Sequence, residues 1–312
     1  MNKFYPEGCL IHTADNRNSL KSVSALQDSM IQGKILEARA VICDNEHNLI
    51  VDLPDAKGII PREEGAVGIS DGSTRDIALI SKVNKPVCFR VMNISKDENG
   101  QTVAFLSRRS VQQSCIDNYI SKLSAGDIIP AKVTHLEQFG CFVDIGCGIP
   151  SLIPIDAISV SRISHPSDRF TVGQNINVAV KAVSSEGSQA RVWLSHKELL
   201  GTWEENASMF HTGETVAGVV RSVEDYGIFI ELAPNLAGLA EPRENVYAGQ
   251  SASVYIKALI PEKMKVKLII VDVFNSEYTP GNFRYFIKDN HIDYWRYTTD
   301  NSEKVIETIF CP

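Results

Sequence analysis

Two aromatic pairs are the residues in this chain whose types and spacing best suit chemistry: Phe139-Gly140-Cys141-Phe142 and Tyr226-Gly227-Ile228-Phe229. Each sits inside an alternating apolar strand pattern. Residues three apart on a regular strand face opposite sides, but a glycine between them can adopt a bulge that resets the alternation. Both rings then share one face. Two exposed rings on a sheet face form a platform for unpaired bases, because every base has a π-face and such stacking tolerates sequence variation. The chemistry expected is therefore noncovalent: single-stranded RNA bound by stacking on Phe139, Phe142, Tyr226 and Phe229. Core packing is the competing reading for Phe142 and Phe229, since aromatics on strands are usually interior.

Charged residues around these pairs extend the expectation. In the segment SRISHPSDRF, Arg162, His165 and Arg169 can line an RNA groove from the loop between a third and a fourth strand. Alternatively, Asp168 pairs with one of the arginines and braces that loop. Lys132, a further candidate RNA contact, and Lys181 alternate outward, where a solvated charge is the commoner outcome. Lys263, Lys265 and Lys267 alternate as well, which predicts a basic stripe on one strand face. Trp193 and Trp203 read as packing residues.

The elements that must position these side chains are written in the sequence as a repeat. AKVTHLEQFGCFVDIGCGIPSLIP from Ala131 aligns with AGVVRSVEDYGIFIELAPNLAGLAE from Ala217, and a degenerate third copy lies upstream. Val51-Asp52-Leu53, Val143-Asp144-Ile145 and Ile230-Glu231-Leu232 end the same strand in the three copies. A glycine opens each unit (Gly33, Gly126, Gly213), at roughly ninety-residue spacing, which is domain spacing rather than that of a solenoid. Later segments such as NINVAVKAV and SASVYIKAL have the alternation of half-buried strands. About five short strands per unit predict an all-β protein of three tandem five-stranded OB-fold barrels. Helical spacing between units predicts short helical connectors, with an N-terminal helix over Asn18–Ile31 and an aromatic-rich C-terminal extension folded on the third barrel. The expected layout is a lead-in at 1–32, barrels at 33–107, 125–195 and 212–275, connectors at 108–124 and 196–211, and the extension at 276–312.

Composition narrows the function classes. The net charge of −7 argues against a simple basic clamp on nucleic acid, so affinity must come from stacking plus local cations. No apolar run approaches the roughly 18 residues that span a bilayer, and MNKFYPEGCL is no signal peptide, so a cytoplasmic protein without a membrane partner is expected. The seven cysteines form no CxxC pair and read as free thiols in a reducing compartment. The seven histidines are scattered, without HExxH spacing, and neither a serine elbow nor a P-loop is present. No catalytic residue, metal site or cofactor is expected.

FGCFVDIGCGIPSLIPID, SRISHPSDRFTVGQ and WLSHKELLGTW together resemble the repeat of the bacterial small-subunit ribosomal protein S-one family, in its shortened clostridia-like form. GTWEENA, EDYGIFIELAPNLAGLAE and YIKALIPEKMKVKLI extend the likeness, which covers about residues 33 to 273. The resemblance implies OB-fold barrels, binding of single-stranded RNA and mRNA, and attachment to the small ribosomal subunit through the first repeat. It also implies a basic RNA contact at Arg191 and Lys265. A histidine common on the family's following strand maps to Pro154 and Glu241, so that contact is missing. In the first repeat the platform positions map to His47, Ile50, Pro61 and Val103, and the platform is lost. An RNA-binding regulator of transcript stability, or a protein-docking scaffold in a ribosome or nuclease complex, remains the alternative.

Overall fold

The computed structural model describes residues 4–184, 191–275 and 283–310. The start of the C-terminal extension around Glu277, and Cys311, lie outside the described residues. Three closed barrels are built from β1 (Leu36–Cys43), β2 (Leu49–Asp52), β3 (Lys57–Ile60), β4 (Pro86–Lys96) and β5 (Thr102–Ser107); from β6 (Ile128–Glu137), β7 (Gly140–Asp144), β8 (Pro150–Pro154), β9 (Asn175–Ser184) and β10 (Arg191–Ser195); and from β11 (Thr215–Glu224), β12 (Gly227–Ala233), β13 (Leu236–Ala240), β14 (Ser251–Ile260) and β15 (Lys265–Phe274). In each, the first three strands form an antiparallel meander, the third pairs parallel with the fifth, and the first closes on the fourth. This is the expected five-stranded OB-type barrel.

Alternation explains why these segments are strands. In β9, Ile176, Val178 and Val180 are buried, and in β10 Val192 and Leu194 point inward while Arg191 and Trp193 point out. Each first strand carries a register shift, at Ala40/Ile42, Val133/His135 and Val220/Ser222, and the extra residue bends the strand around the barrel. Gly140 and Gly227 are therefore not the bulges expected from the sequence. They open β7 and β12 as regular strand residues and are required for close approach. A Cβ on Gly140 would sit 2.5 Å from the Ile153 carbonyl oxygen, and one on Gly227 2.8 Å from that of Ala240.

The lead-in is two helices rather than one, α1 (Ala14–Leu20) and α2 (Val23–Ile31), because the Ser22 hydroxyl accepts from the Ala25 amide and starts the second. Leu20 and Leu26 bury in the first barrel's core. Ahead of them, residues 4–13 form a strap between the first two barrels that sequence reasoning missed. Glu7 is buried there, with Arg108 at 2.6 Å and Lys82 at 2.7 Å. Burial pushes its carboxyl upward, but the two cations hold it well below the usual carboxylate range.

After a single turn, α3 (Ile77–Ile80), the connector helix α4 (Arg109–Asn118) places Val111 and Cys115 in the second barrel's core, and α5 (Trp203–Ala207) places Trp203 in the third's. The extension spans both later barrels, a correction to its expected place on the third alone. Phe283 packs on Phe170 and His196 of the second barrel region at 5.5 and 4.7 Å, and the Ile292 amide donates to the Gly126 carbonyl. Further on, β16 (Tyr294–Arg296) and β17 (Glu307–Ile309) deliver Trp295, Tyr297 and Phe310 into the third core. Apolar rings are distributed along the whole segment, so both halves find a surface to bury against.

Candidate nucleic-acid interface

The hairpin between β6 and β7 pairs Glu137 with Gly140, leaving Gln138 and Phe139 as its two-residue turn. Phe139 thus stands at the tip, 57% exposed, and Phe142 lies on the outer face of β7 with its ring 5.9 Å away, edge to face. The third barrel repeats this arrangement. Tyr226 is the 69% exposed turn residue before Gly227, and its ring lies 6.1 Å from Phe229. The rings meet because one occupies a turn and the other the strand two residues beyond the glycine. The glycine's part is to let β8 or β13 close behind them.

Cross-strand register continues each face. Phe142 pairs with Leu152 on β8, and Leu152 pairs with Trp193 on β10. Trp193 is 43% exposed, which corrects its reading as a packing residue; Trp203, at 3%, does pack. The alternation that turns Arg191 outward turns Trp193 outward too, so the strand period alone points to it. In the third barrel the same row reads Phe229, Leu239 and Lys267, and in the first Ile50, Ile59 and Phe105. Each fourth strand adds a bulged residue beside the row: Met92, Lys181 and Lys257.

Tyr226, Phe229, Lys257, Lys265 and Lys267 line one groove of about 530 Å³. Lys265 and Lys267 share a strand face as expected, whereas Lys263 lies in the preceding turn. Arg191 is exposed on the face that carries Trp193.

The remaining candidates behave differently. Arg169 is 1% exposed and points into the third barrel, where its Nη2 donates to Glu231 at 2.6 Å; it cannot line an open groove. Arg221 joins this pair, reaching Glu231 at 2.8 Å and Asp168 at 3.1 Å. Burial pushes the Asp168 carboxyl up, but Arg221 and the Ser164 and His165 amides outweigh it and lower it. Asp168 is paired, but with Arg221 of the third barrel rather than with either loop arginine expected to brace the loop. His165 caps the short turn that follows, its Nδ1 accepting from the Ser167 amide at 3.1 Å. Arg162 is exposed on the same loop. Lys132 turns toward the strap and donates to the Glu7 carbonyl at 3.1 Å, since β6 packs there against the first barrel. It lines a cavity between the first two barrels instead of the aromatic face.

Among the described residues, no group of three or more His, Cys, Asp or Glu side chains could hold a metal ion. No described helix is long and apolar enough to cross a membrane.

Comparison with known proteins matches residues 122–196, the second barrel and its flanks, to the S1 RNA binding domain. The small ribosomal subunit protein bS1 of Staphylococcus aureus (strain COL) is 29% identical over 273 residues, covering 82% of this chain and 66% of the relative. The protein of the same name from Leuconostoc lactis is 27% identical over 270 residues, covering 81% and 59%. The chain spans less than two thirds of the length of these curated relatives. A solved multidomain protein with nucleic acid binding domains from Streptococcus pneumoniae aligns over 77% of this chain and 74% of its own at 12% identity, with a TM-score of 0.26, too low to bear on the arrangement of the barrels. This chain thus has homologues named small ribosomal subunit protein bS1 and carries an S1 RNA binding domain.

Proposed function

We propose that this protein binds single-stranded RNA on the outer aromatic faces of its second and third barrels, as a noncatalytic, cytoplasmic component of translation. The carrying observation is the duplicated ring pair, Phe139 and Tyr226 exposed at hairpin tips with the half-buried Phe142 and Phe229 beside them, Lys265 lining the same groove as the second pair and Arg191 facing outward on the strand that carries Trp193. Stranded rings at such tips have no packing reason to repeat. Bases supply one, at about 1–3 kcal/mol per stacked base. The net charge of −7 disfavours phosphate attraction as the main source of affinity, which suits stacking with few ion contacts.

Its RNA is then mRNA and its docking partner the small ribosomal subunit, a reading supported by the relatives named small ribosomal subunit protein bS1. The first barrel, with Ile50, Ile59 and Phe105 where the others carry their platform row, serves docking rather than base stacking. The test is binding of the full chain to oligouridine against a duplex of equal length. Single-strand preference, with binding weakened about tenfold or more when Phe139 and Phe142 are both replaced by alanine, is the expected result. Equal affinity for both RNAs, or an undiminished double variant, overturns the reading. Co-sedimentation with small subunits decides between ribosomal use and free regulation of transcripts.

A further inference from the structure

We infer that Trp193 is a third stacking residue of the second barrel, taking a base of its own beyond the Phe139–Phe142 pair. The inference rests on the proposed RNA binding and assigns that site its extent. Trp193 is 43% exposed, although its strand neighbours Val192 and Leu194 are buried, so the ring is presented to solvent by the strand period itself. Leu152 pairs with Phe142 on one side and Trp193 on the other, giving an apolar floor between two ring positions. Two strand spacings separate these positions by roughly 10 Å. That exceeds the roughly 4.5–7 Å between centroids at which two rings pack on each other, so the indole is a platform apart from the Phe139–Phe142 pair.

The third barrel shows what this position does when it is not aromatic. Lys267 stands at the equivalent place, paired with Leu239, and joins Lys257 and Lys265 around Tyr226 and Phe229. There the row ends in a cluster of cations suited to phosphate. In the second barrel it ends in a ring suited to a base. The two barrels therefore hold a strand by different means, the second gripping more bases and the third more backbone charge. A competing role for Trp193, shielding Leu152 from water, predicts a stability effect without an effect on RNA.

The chain's own fluorescence tests the assignment. Of its three tryptophans, Trp203 and Trp295 are only 3% and 4% exposed, so a base stacking on a tryptophan must act on Trp193. Full-length protein is titrated with oligouridine while emission and the anisotropy of a labelled oligonucleotide are followed together. Quenching that saturates with binding, disappears in Trp193→Phe and leaves the affinity of that variant within about twofold is expected. Trp193→Ala is expected to bind about tenfold more weakly with an unchanged salt slope. Binding without quenching, or Trp193→Ala binding as the wild type, overturns the inference even where Phe139→Ala/Phe142→Ala weakens binding and the RNA-binding reading survives. If Trp193→Ala fails to fold by circular dichroism, wild-type quenching and the Trp193→Phe variant decide. A wild-type chain that binds no single strand at all overturns the proposed function, and this inference with it.

Discussion

Arg169 of the second barrel's loop and Glu231 of the third barrel meet in a buried ion pair, Nη2 to Oε2 at 2.6 Å, with 1% and 5% of their side chains exposed. Arg221 shares the Glu231 carboxylate and also holds Asp168, so the contact is a four-residue network between the second and third barrels. Asn235 reinforces it from the third barrel, accepting from the Val160 amide and donating to the Lys197 and Gly201 carbonyls. The angle between the two aromatic faces is thereby fixed by charge and hydrogen bonds as well as by packing.

Removing one partner from that network leaves a charge buried without its counterion. Glu231→Ala is expected to destabilise the protein by about 3–5 kcal/mol, read from the denaturant midpoint. Replacing Arg169 by methionine together with Glu231 by leucine should cost less than the sum of the single changes, because the double change strands fewer charges. A Glu231→Ala variant that melts like the wild type would mean the pair is open in solution.

Neutralising cations and removing rings should leave different signatures. Arg191→Gln and Lys265→Gln are each expected to lower the slope of log affinity against log salt by up to about 0.7, the single-strand value for one phosphate contact. Phe139→Ala with Phe142→Ala should weaken binding about tenfold or more at every salt concentration, with the slope kept. Identical behaviour of the two classes would sink the division of labour between stacking and charge.

His196 gives the chain an acid sensitivity. It is fully buried against Phe170 at 5.0 Å and Phe283 at 4.7 Å, and burial pushes its imidazole down to about 4. The unfolded chain takes up the proton near 6.5 and the folded chain only near 4, so the unfolded state binds more protons between these values. Stability from this group is thus fully present above pH 6.5 and is lost as pH falls toward 4, on the order of 3 kcal/mol in all. His196→Phe should flatten the melting temperature across that window; an unchanged pH profile would show that another group sets it.

The extension should prove integral to the third barrel. Trp295 is 4% exposed in the third core, and the Tyr297 hydroxyl donates to the Asn235 carbonyl at 2.5 Å. Trp295→Ala is expected to cost about 3–5 kcal/mol, as for a large buried aromatic. A loss under 1 kcal/mol in thermal or urea unfolding would place the extension outside the cooperative unit.

The sequence by itself determined the three barrels, because period-two alternation and a repeated glycine opening are local properties that each copy carries, the degenerate first included. It also determined the ring pairs, since a turn residue and a strand residue flanking one glycine meet wherever that hairpin forms. Trp193 was within reach of the same logic: it stands two residues from Arg191, on the face that already carried a candidate contact. What only the tertiary structure decided lies between barrels. Nothing local separates an arginine lining a groove from Arg169, whose partner Glu231 is 62 residues away, or Lys132 on an open strand from Lys132 donating to Glu7 across 125. The N-terminal strap and the double docking of the extension belong to the same class. Burial and charge pairing there depend on surfaces brought together by folding, and strand period reports which side a residue faces without reporting what has come to lie against it.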